Sequence, residues 1–243
     1  MTVAALSVSS IGVSYGDVQA VWDVSFEAYA GSTTALLGRN GSGKTTTLLA
    51  VAGMLPLTAG RITLGEHSAE NLPAHQRPAA GVALVAENRR IFRRRTVDQN
   101  LRLGGWPHRG DRRRLAELTE RCFTLFPVLR DRRSTEAGEL SGGQQQMVAI
   151  AQALMADPKV LLLDEPSAGL APIIVEQMLT TVSTLTADGL AVVLVEQQLE
   201  NVLPVFDRLV VIDQGRAVHA ADATDVDEDV IRRIYLDGSL PTA

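Results

Sequence analysis

Two kinds of hydrophobic pattern share this chain. Leu6 to Tyr15 and Val21 to Tyr29 alternate apolar and polar residues across the turn signal Gly16-Asp17, which predicts a pair of antiparallel strands. Arg61 to Leu64, between Gly60 and Gly65, is a further short strand. Thr33 to Leu37, Val82 to Val85, Val160 to Leu163, Leu190 to Val195 and Leu209 to Ile212 are instead short, almost wholly apolar runs, as expected of strands covered on both faces. The last run turns at Asp213-Gln214-Gly215 into a hairpin with Arg216 to His219. Between the strands the period lengthens to that of helices. Thr46 to Ala52 is stopped by Gly53, and Asp111 to Phe126 places Leu115, Leu118, Cys122 and Leu125 on one face. Gln144 to Met155 is opened by Ser141-Gly142-Gly143 and stopped by Asp157-Pro158. Pro172 to Ala187 is capped by Asp188-Gly189, and Asp227 to Leu236 predicts a last helix. Strands alternating with helices imply an α/β protein with a mostly parallel sheet and helices on both faces. The texture between about 96 and 156 is helical and predicts a helical subdomain inserted into a single α/β domain spanning 1–243.

Composition narrows the possibilities. A length of 243 residues with 46% hydrophobic content suits one large domain or a domain with a subdomain. The net charge of −5 argues against nucleic-acid binding by the general surface. Cys122 is the only cysteine, which excludes an internal disulfide and predicts a reduced, partly buried thiol. His67, His75, His108 and His219 lack ligand spacing, so a histidine metal site is not expected. No apolar run reaches the roughly 18 residues of a membrane span, and Met1 to Ser10 has no signal-peptide pattern. The protein is therefore expected to be made and kept in the cytoplasm, with any membrane contact through a partner. Charge is uneven: Arg89 to Arg133 holds fourteen arginines against five acids. That segment is either a solvated helical face or a surface for anionic headgroups or an acidic partner.

The chemistry begins at Gly38-Arg39-Asn40-Gly41-Ser42-Gly43-Lys44-Thr45, followed by Thr46. A glycine-rich loop between a buried strand and a helix lets backbone N–H groups turn toward phosphate oxygens, and the helix N-terminus adds partial positive charge. Lys44 can reach β- and γ-phosphates, and the Thr45 hydroxyl can hold Mg²⁺. A second constellation follows the apolar strand Val160 to Leu163. Asp164 at its end can hold Mg²⁺ through water, and Glu165 can polarise an attacking water. Tyr15, at the turn side of its strand, could stack on a base, although a lone aromatic more often belongs to the core.

Leu140-Ser141-Gly142-Gly143-Gln144-Gln145-Gln146 resembles the signature motif of ABC-type ATPases, and the likeness extends over nearly the whole chain. The resemblance implies a P-loop ABC ATPase core with an antiparallel β subdomain, hydrolysing ATP with Mg²⁺. It implies that Tyr15 stacks on adenine, that Gly38 to Thr46 bind phosphate, that Asp164 assists the metal with Thr45, and that Glu165 is the general base. Ser167-Ala168-Gly169-Leu170 falls where a dimer-contacting loop is expected. Ser141, Gly142, Gly143 and Gln144 would close over ATP held by a second ABC ATPase subunit, in a heterodimer or a homodimer. Integral membrane permeases, and indirectly an extracytoplasmic solute-binding protein, are the implied partners. Two positions depart from the wider family. Glu87 replaces the glutamine that links Mg²⁺ to the membrane subunit, and Gln197 replaces the switch histidine at γ-phosphate. Gln198 is the rival for that contact, whereas the carboxylate of Glu196 would repel phosphate. With Asn88-Arg89-Arg90-Ile91-Phe92 and Tyr235-Leu236-Asp237-Gly238, these features resemble ATP-binding subunits of branched-chain amino-acid importers. Carriers of urea, short amides or other carboxylates share that resemblance. Two other functions compete: an ABC domain acting on ribosomes or DNA, and a module that senses ATP without hydrolysing it.

Overall fold

The short apolar runs become the parallel centre of one large sheet. The structure, a computed structural model, describes residues 3–226. Among them the strands are β1 (Leu6–Tyr15), β2 (Val18–Ala28), β3 (Thr33–Leu37), β4 (Ala59–Leu64), β5 (His67–Ser68), β6 (Val82–Val85), β7 (Val160–Asp164), β8 (Ala191–Glu196), β9 (Arg208–Asp213) and β10 (Arg216–Asp222). Their order is β5-β4-β1-β2-β10-β9-β3-β8-β7-β6. β1 runs antiparallel to β2 and β4, while β9, β3, β8, β7 and β6 are parallel. β10 joins the two halves, antiparallel to β9 and parallel to β2.

Burial explains the apolar composition of the parallel strands. Leu161 and Leu163 of β7 face one core, and Val160 and Leu162 face the other. β8 and β9 alternate in the same way, with Val192, Leu194, Leu209 and Val211 on the first side and Val193, Val195, Val210 and Ile212 on the second. The second core is closed by β1, β2, β4 and the helix α1 (Lys44–Val51). The first is closed by α2 (Val97–Gly104), α3 (Arg112–Leu125), α4 (Pro127–Asp131), α5 (Gly142–Leu154) and α6 (Pro172–Ala187). Helices α2 to α5 all lie between β6 and β7, yet those strands are direct neighbours, with Val82 opposite Val160.

Several boundaries move for physical reasons. β2 starts at Val18 rather than Val21 because pairing continues to the Gly16-Asp17 turn, where Tyr15 opposes Val18. α1 starts at Lys44 rather than Thr46 because Gly43, with φ of 106°, is its N-cap. Helix α2 goes beyond the sequence reading. Thr96 accepts from the Gln99 N–H while the Gln99 side chain accepts from the Thr96 N–H, a reciprocal cap that starts a helix burying Val97 and Leu101. Cys122 is buried rather than partly buried, and desolvation pushes its thiol up to about 12. The helix expected over Asp227 to Leu236 and the residues Tyr235 to Gly238 lie outside the described residues.

Candidate functional site

The carboxyl end of the parallel strands gathers most of the residues singled out from the sequence. β3 leads into the phosphate loop, whose backbone is tightly packed. A Cβ on Gly38 would stand 2.2 Å from the Ile212 carbonyl oxygen, so only glycine fits there. The Gly215 N–H donates to the Ser42 carbonyl at 2.8 Å, tying the loop to the β9–β10 turn. The loop then enters α1 with no side-chain cap, the kind of helix start that can offer its first-turn N–H groups to an anion. Arg39, Asn40 and Gly41 are exposed at the rim, while Ser42 is buried and its hydroxyl has no protein partner.

Lys44 is buried, and desolvation lowers its pKa against the opposing pull of Glu165. Its ammonium donates to the carbonyl oxygens of Gly38 at 2.7 Å and Arg39 at 3.0 Å. It also lies 3.6 Å from Oε1 of Glu165. The other carboxylate oxygen of Glu165 accepts a hydrogen bond from the Gln197 amide. Glu165 thus bridges the phosphate-loop lysine and the residue after β8. Its backbone is left-handed, with φ of 45°, a conformation that costs a non-glycine residue about 1–3 kcal/mol.

Thr45 donates its hydroxyl to Oδ1 of Asp164 at 3.0 Å. Burial pushes the Asp164 carboxyl up to about 6; the Thr45 hydrogen bond opposes the shift, and the carboxylates of Glu165 and Glu87 add to it. Glu87, exposed beyond β6, is therefore close enough to Asp164 to influence its charge. Thr45, Asp164 and Glu87 offer hard oxygen donors, the chemistry Mg²⁺ prefers. No cluster of three or more metal-ligating side chains occurs among the described residues. An ion here would complete its shell with water and phosphate oxygens, the usual habit of Mg²⁺. Tyr15 is 48% exposed, and its hydroxyl is 3.4 Å from Oγ1 of Thr46, at the mouth of the loop rather than in the core.

The residues Ser141 to Gln144 stand apart. Ser141 is the N-cap of α5, accepting from the Gln144 N–H at 3.3 Å while the Gln144 side chain accepts from the Ser141 N–H. Ser141 and Gly142 are exposed, whereas Gly143 packs on Ile174. Among the described residues, no hydrogen bond or ion pair joins this turn to residues 38–46. Arg89, itself left-handed with φ of 58°, lays its guanidinium beside Gly142.

Sequence reasoning missed two polar residues here. Glu196, set aside there as a phosphate contact, is buried and accepts from the Ser167 N–H at 3.2 Å and its hydroxyl at 2.8 Å. Asn100 is fully buried and hydrogen-bonds the backbone of Phe92, Arg95 and Thr96, holding the loop that displays Arg93, Arg94 and Arg95. The available signal was an Asn among buried apolar positions just after a capping pattern.

A strand, a glycine loop and an open helix N-terminus, backed by carboxylates on the adjoining strand ends, define a nucleotide-binding protein of the phosphate-loop class. The sequence profile described as ABC transporter matches residues 21–168. The chain belongs to the ABC transporter family and is an ATP-binding subunit of ATPase type. It is 39% identical to the high-affinity branched-chain amino acid transport ATP-binding protein BraG of Pseudomonas aeruginosa, over 96% of this chain and 100% of that protein. It is 34% identical to the lipopolysaccharide export system ATP-binding protein LptB of Escherichia coli K12, over 96% of this chain and 97% of that protein. The ADP conformation of an ATP-binding cassette of an ABC transporter superposes with a TM-score of 0.83 at 27% identity, covering 97% of this chain and 96% of that one.

Proposed function

We propose that this chain is the ATP-hydrolysing subunit of an importer for branched-chain or related amino acids, held on the cytoplasmic face of the membrane by permease subunits. The observation that carries this reading is the full-length 39% identity to the branched-chain amino acid transport protein, combined with the Lys44–Glu165–Gln197 chain of contacts. The export-system relative, at 34% identity, supports a second reading as an exporter subunit.

In the proposed reaction, the loop N–H groups and Lys44 bind the β- and γ-phosphates, trading the carbonyl contacts of Lys44 for phosphate oxygens. Tyr15 stacks on the adenine. Thr45, Asp164 and Glu87 would hold Mg²⁺, which when bound neutralises phosphate charge. Glu165 takes the proton of the attacking water, and the Gln197 amide orients that carboxylate and donates toward the γ-phosphate. Ser141, Gly142, Gly143 and Gln144 of a second ATPase subunit complete the site with a hydroxyl and backbone N–H groups.

The permease would dock in a groove of about 380 Å³ between the sheet and the helical segment, lined by Met54, Arg89, Arg90, Leu103 and Trp106. Met54, Leu103 and Trp106 are exposed apolar side chains, as a docking surface requires. Among its described residues the chain has no helix long and apolar enough to cross a membrane, and the proposed membrane role rests on such a partner. Uptake and efflux of radiolabelled leucine in cells with and without the gene test the reading. Uptake that depends on the gene and on Lys44 supports an importer of this class. Unchanged leucine uptake with impaired export of an envelope lipid would favour the exporter.

A further inference from the structure

The last residue of β8 breaks the composition of its strand. Ala191 to Val195 are buried and apolar, and Glu196 is equally buried at 3% exposure. A buried carboxylate is costly unless it is hydrogen-bonded, and here both oxygens are engaged by one residue, Ser167. The Ser167 hydroxyl in turn accepts from the Asn201 amide at 3.0 Å. Ser167 lies two positions after Glu165, in a turn closed by the Ala168 N–H donating to the Glu165 carbonyl at 3.1 Å.

Three successive residues of β8 and its exit therefore grip this one turn. The Val195 carbonyl accepts from the Glu165 N–H at 3.0 Å. Glu196 takes the Ser167 N–H and hydroxyl. Gln197 donates to the Glu165 side chain. The first and third of these leave the far side of the turn free; Glu196 ties it down through two hydrogen bonds, with the Asn201 amide as a further contact on the Ser167 hydroxyl. The left-handed backbone of Glu165 needs such external restraint, because the local chain alone disfavours it.

We propose that Glu196 is a positioning residue for ATP hydrolysis, clamping Ser167 so that the Glu165 carboxylate keeps its aim toward the attacking water. Glu196 makes no hydrogen bond or ion pair with Lys44 or the phosphate loop, although its charge is felt at Lys44; its hydrogen bonds reach Glu165 through the Ser167 turn. Burial raises its pKa, in keeping with a carboxylate held away from water. The inference rests on the assignment of Glu165 as general base.

The test uses the full chain at a concentration where wild type hydrolyses ATP, with affinity read from a fluorescent ATP analogue. Glu196→Ala is expected to lower kcat by roughly 10²-fold, the cost of a small misplacement of a reacting group, with KM and nucleotide affinity within about twofold of wild type. Glu196→Gln, which keeps one acceptor, should recover much of the loss, and Ser167→Ala should reproduce part of it. A double variant carrying Glu165→Gln and Glu196→Ala should be no slower than Glu165→Gln alone, because both act on one step. Wild-type turnover in Glu196→Ala, a parallel loss of nucleotide affinity, or additive losses in the double variant would overturn the inference. If Glu196→Ala does not fold, wild-type turnover in both Glu196→Gln and Ser167→Ala overturns it equally. Glu165→Gln separates the two ideas: if that variant hydrolyses normally, the base assignment itself fails.

Discussion

The strand-end region and the arginine-rich helical segment contrast in how they are built. At the strand ends, Lys44, Thr45, Asp164, Glu165 and Gln197 are joined by short contacts and backed by strands whose side chains are buried on both faces. Each fully buried Leu or Val there contributes about 1.5–3 kcal/mol. In the helical segment, the charges form exposed pairs such as Arg121–Asp188 and Arg130–Glu120, which contribute about 0.2–1 kcal/mol each at most. The chemically distinctive residues of that segment, Ser141 and Gly142, point to solvent at a helix start. One region is thus joined internally by side-chain contacts, while the other leaves Ser141 and Gly142 exposed. The comparison teaches that side-chain contacts are concentrated at the strand ends, where the proposed function needs a proton to be moved, and that the exposed residues are those it assigns to a second subunit.

The contrast can be broken most severely at Lys44. Lys44→Ala is expected to abolish ATP hydrolysis and weaken ATP binding, read by phosphate release and by analogue fluorescence; near-wild-type activity would refute the site. Glu165→Gln should slow hydrolysis by about 10²–10⁴-fold, the range for a lost general base, while keeping ATP binding and accumulating an ATP-bound dimer visible by light scattering. The assignment to a second subunit is sharpened by mixing subunits. Lys44→Ala chains mixed with Ser141→Arg chains should hydrolyse ATP faster than either variant alone, since one mixed interface is intact; no recovery would place the Ser141 turn outside the reaction. Reversing Arg93, Arg94 and Arg95 to Glu should weaken assembly with permease subunits about tenfold, read by pull-down, with nucleotide affinity unchanged. The smallest effect is expected from Arg121→Ala, a shift of about 0.2–1 kcal/mol in urea unfolding.

Legibility from sequence follows the same divide. The phosphate loop was readable because everything it needs is local: a buried strand, glycines at fixed spacing and a helix start. Asp164 and Glu165 were readable because an apolar strand ending in acids is a contiguous pattern. Tyr15 was ambiguous, since exposure depends on what covers a strand end, and only the fold places its hydroxyl beside Thr46. Glu196 was judged by its charge alone. That argument against a phosphate contact agrees with its burial, but its partner Ser167 lies 29 residues away and becomes adjacent only when β7 pairs with β8. Helix α2 is short, and its capping pattern at Thr96 to Gln99 was legible but unread. The insertion of β10 between β2 and β9 has no local signature at all.

The position of β3 has a consequence for how the chain comes into being. Its two neighbours are β8 and β9, so Thr33 pairs with Val192 and Thr34 with Arg208. During synthesis the strand that delivers the phosphate loop has no lateral support until nearly all of the described residues have been made. Pairing over such sequence separations is slow, because loop closure must precede the contacts that reward it. A nascent chain stopped before Ala191 should therefore hold no nucleotide, and ATP present during translation can act only on the finished sheet.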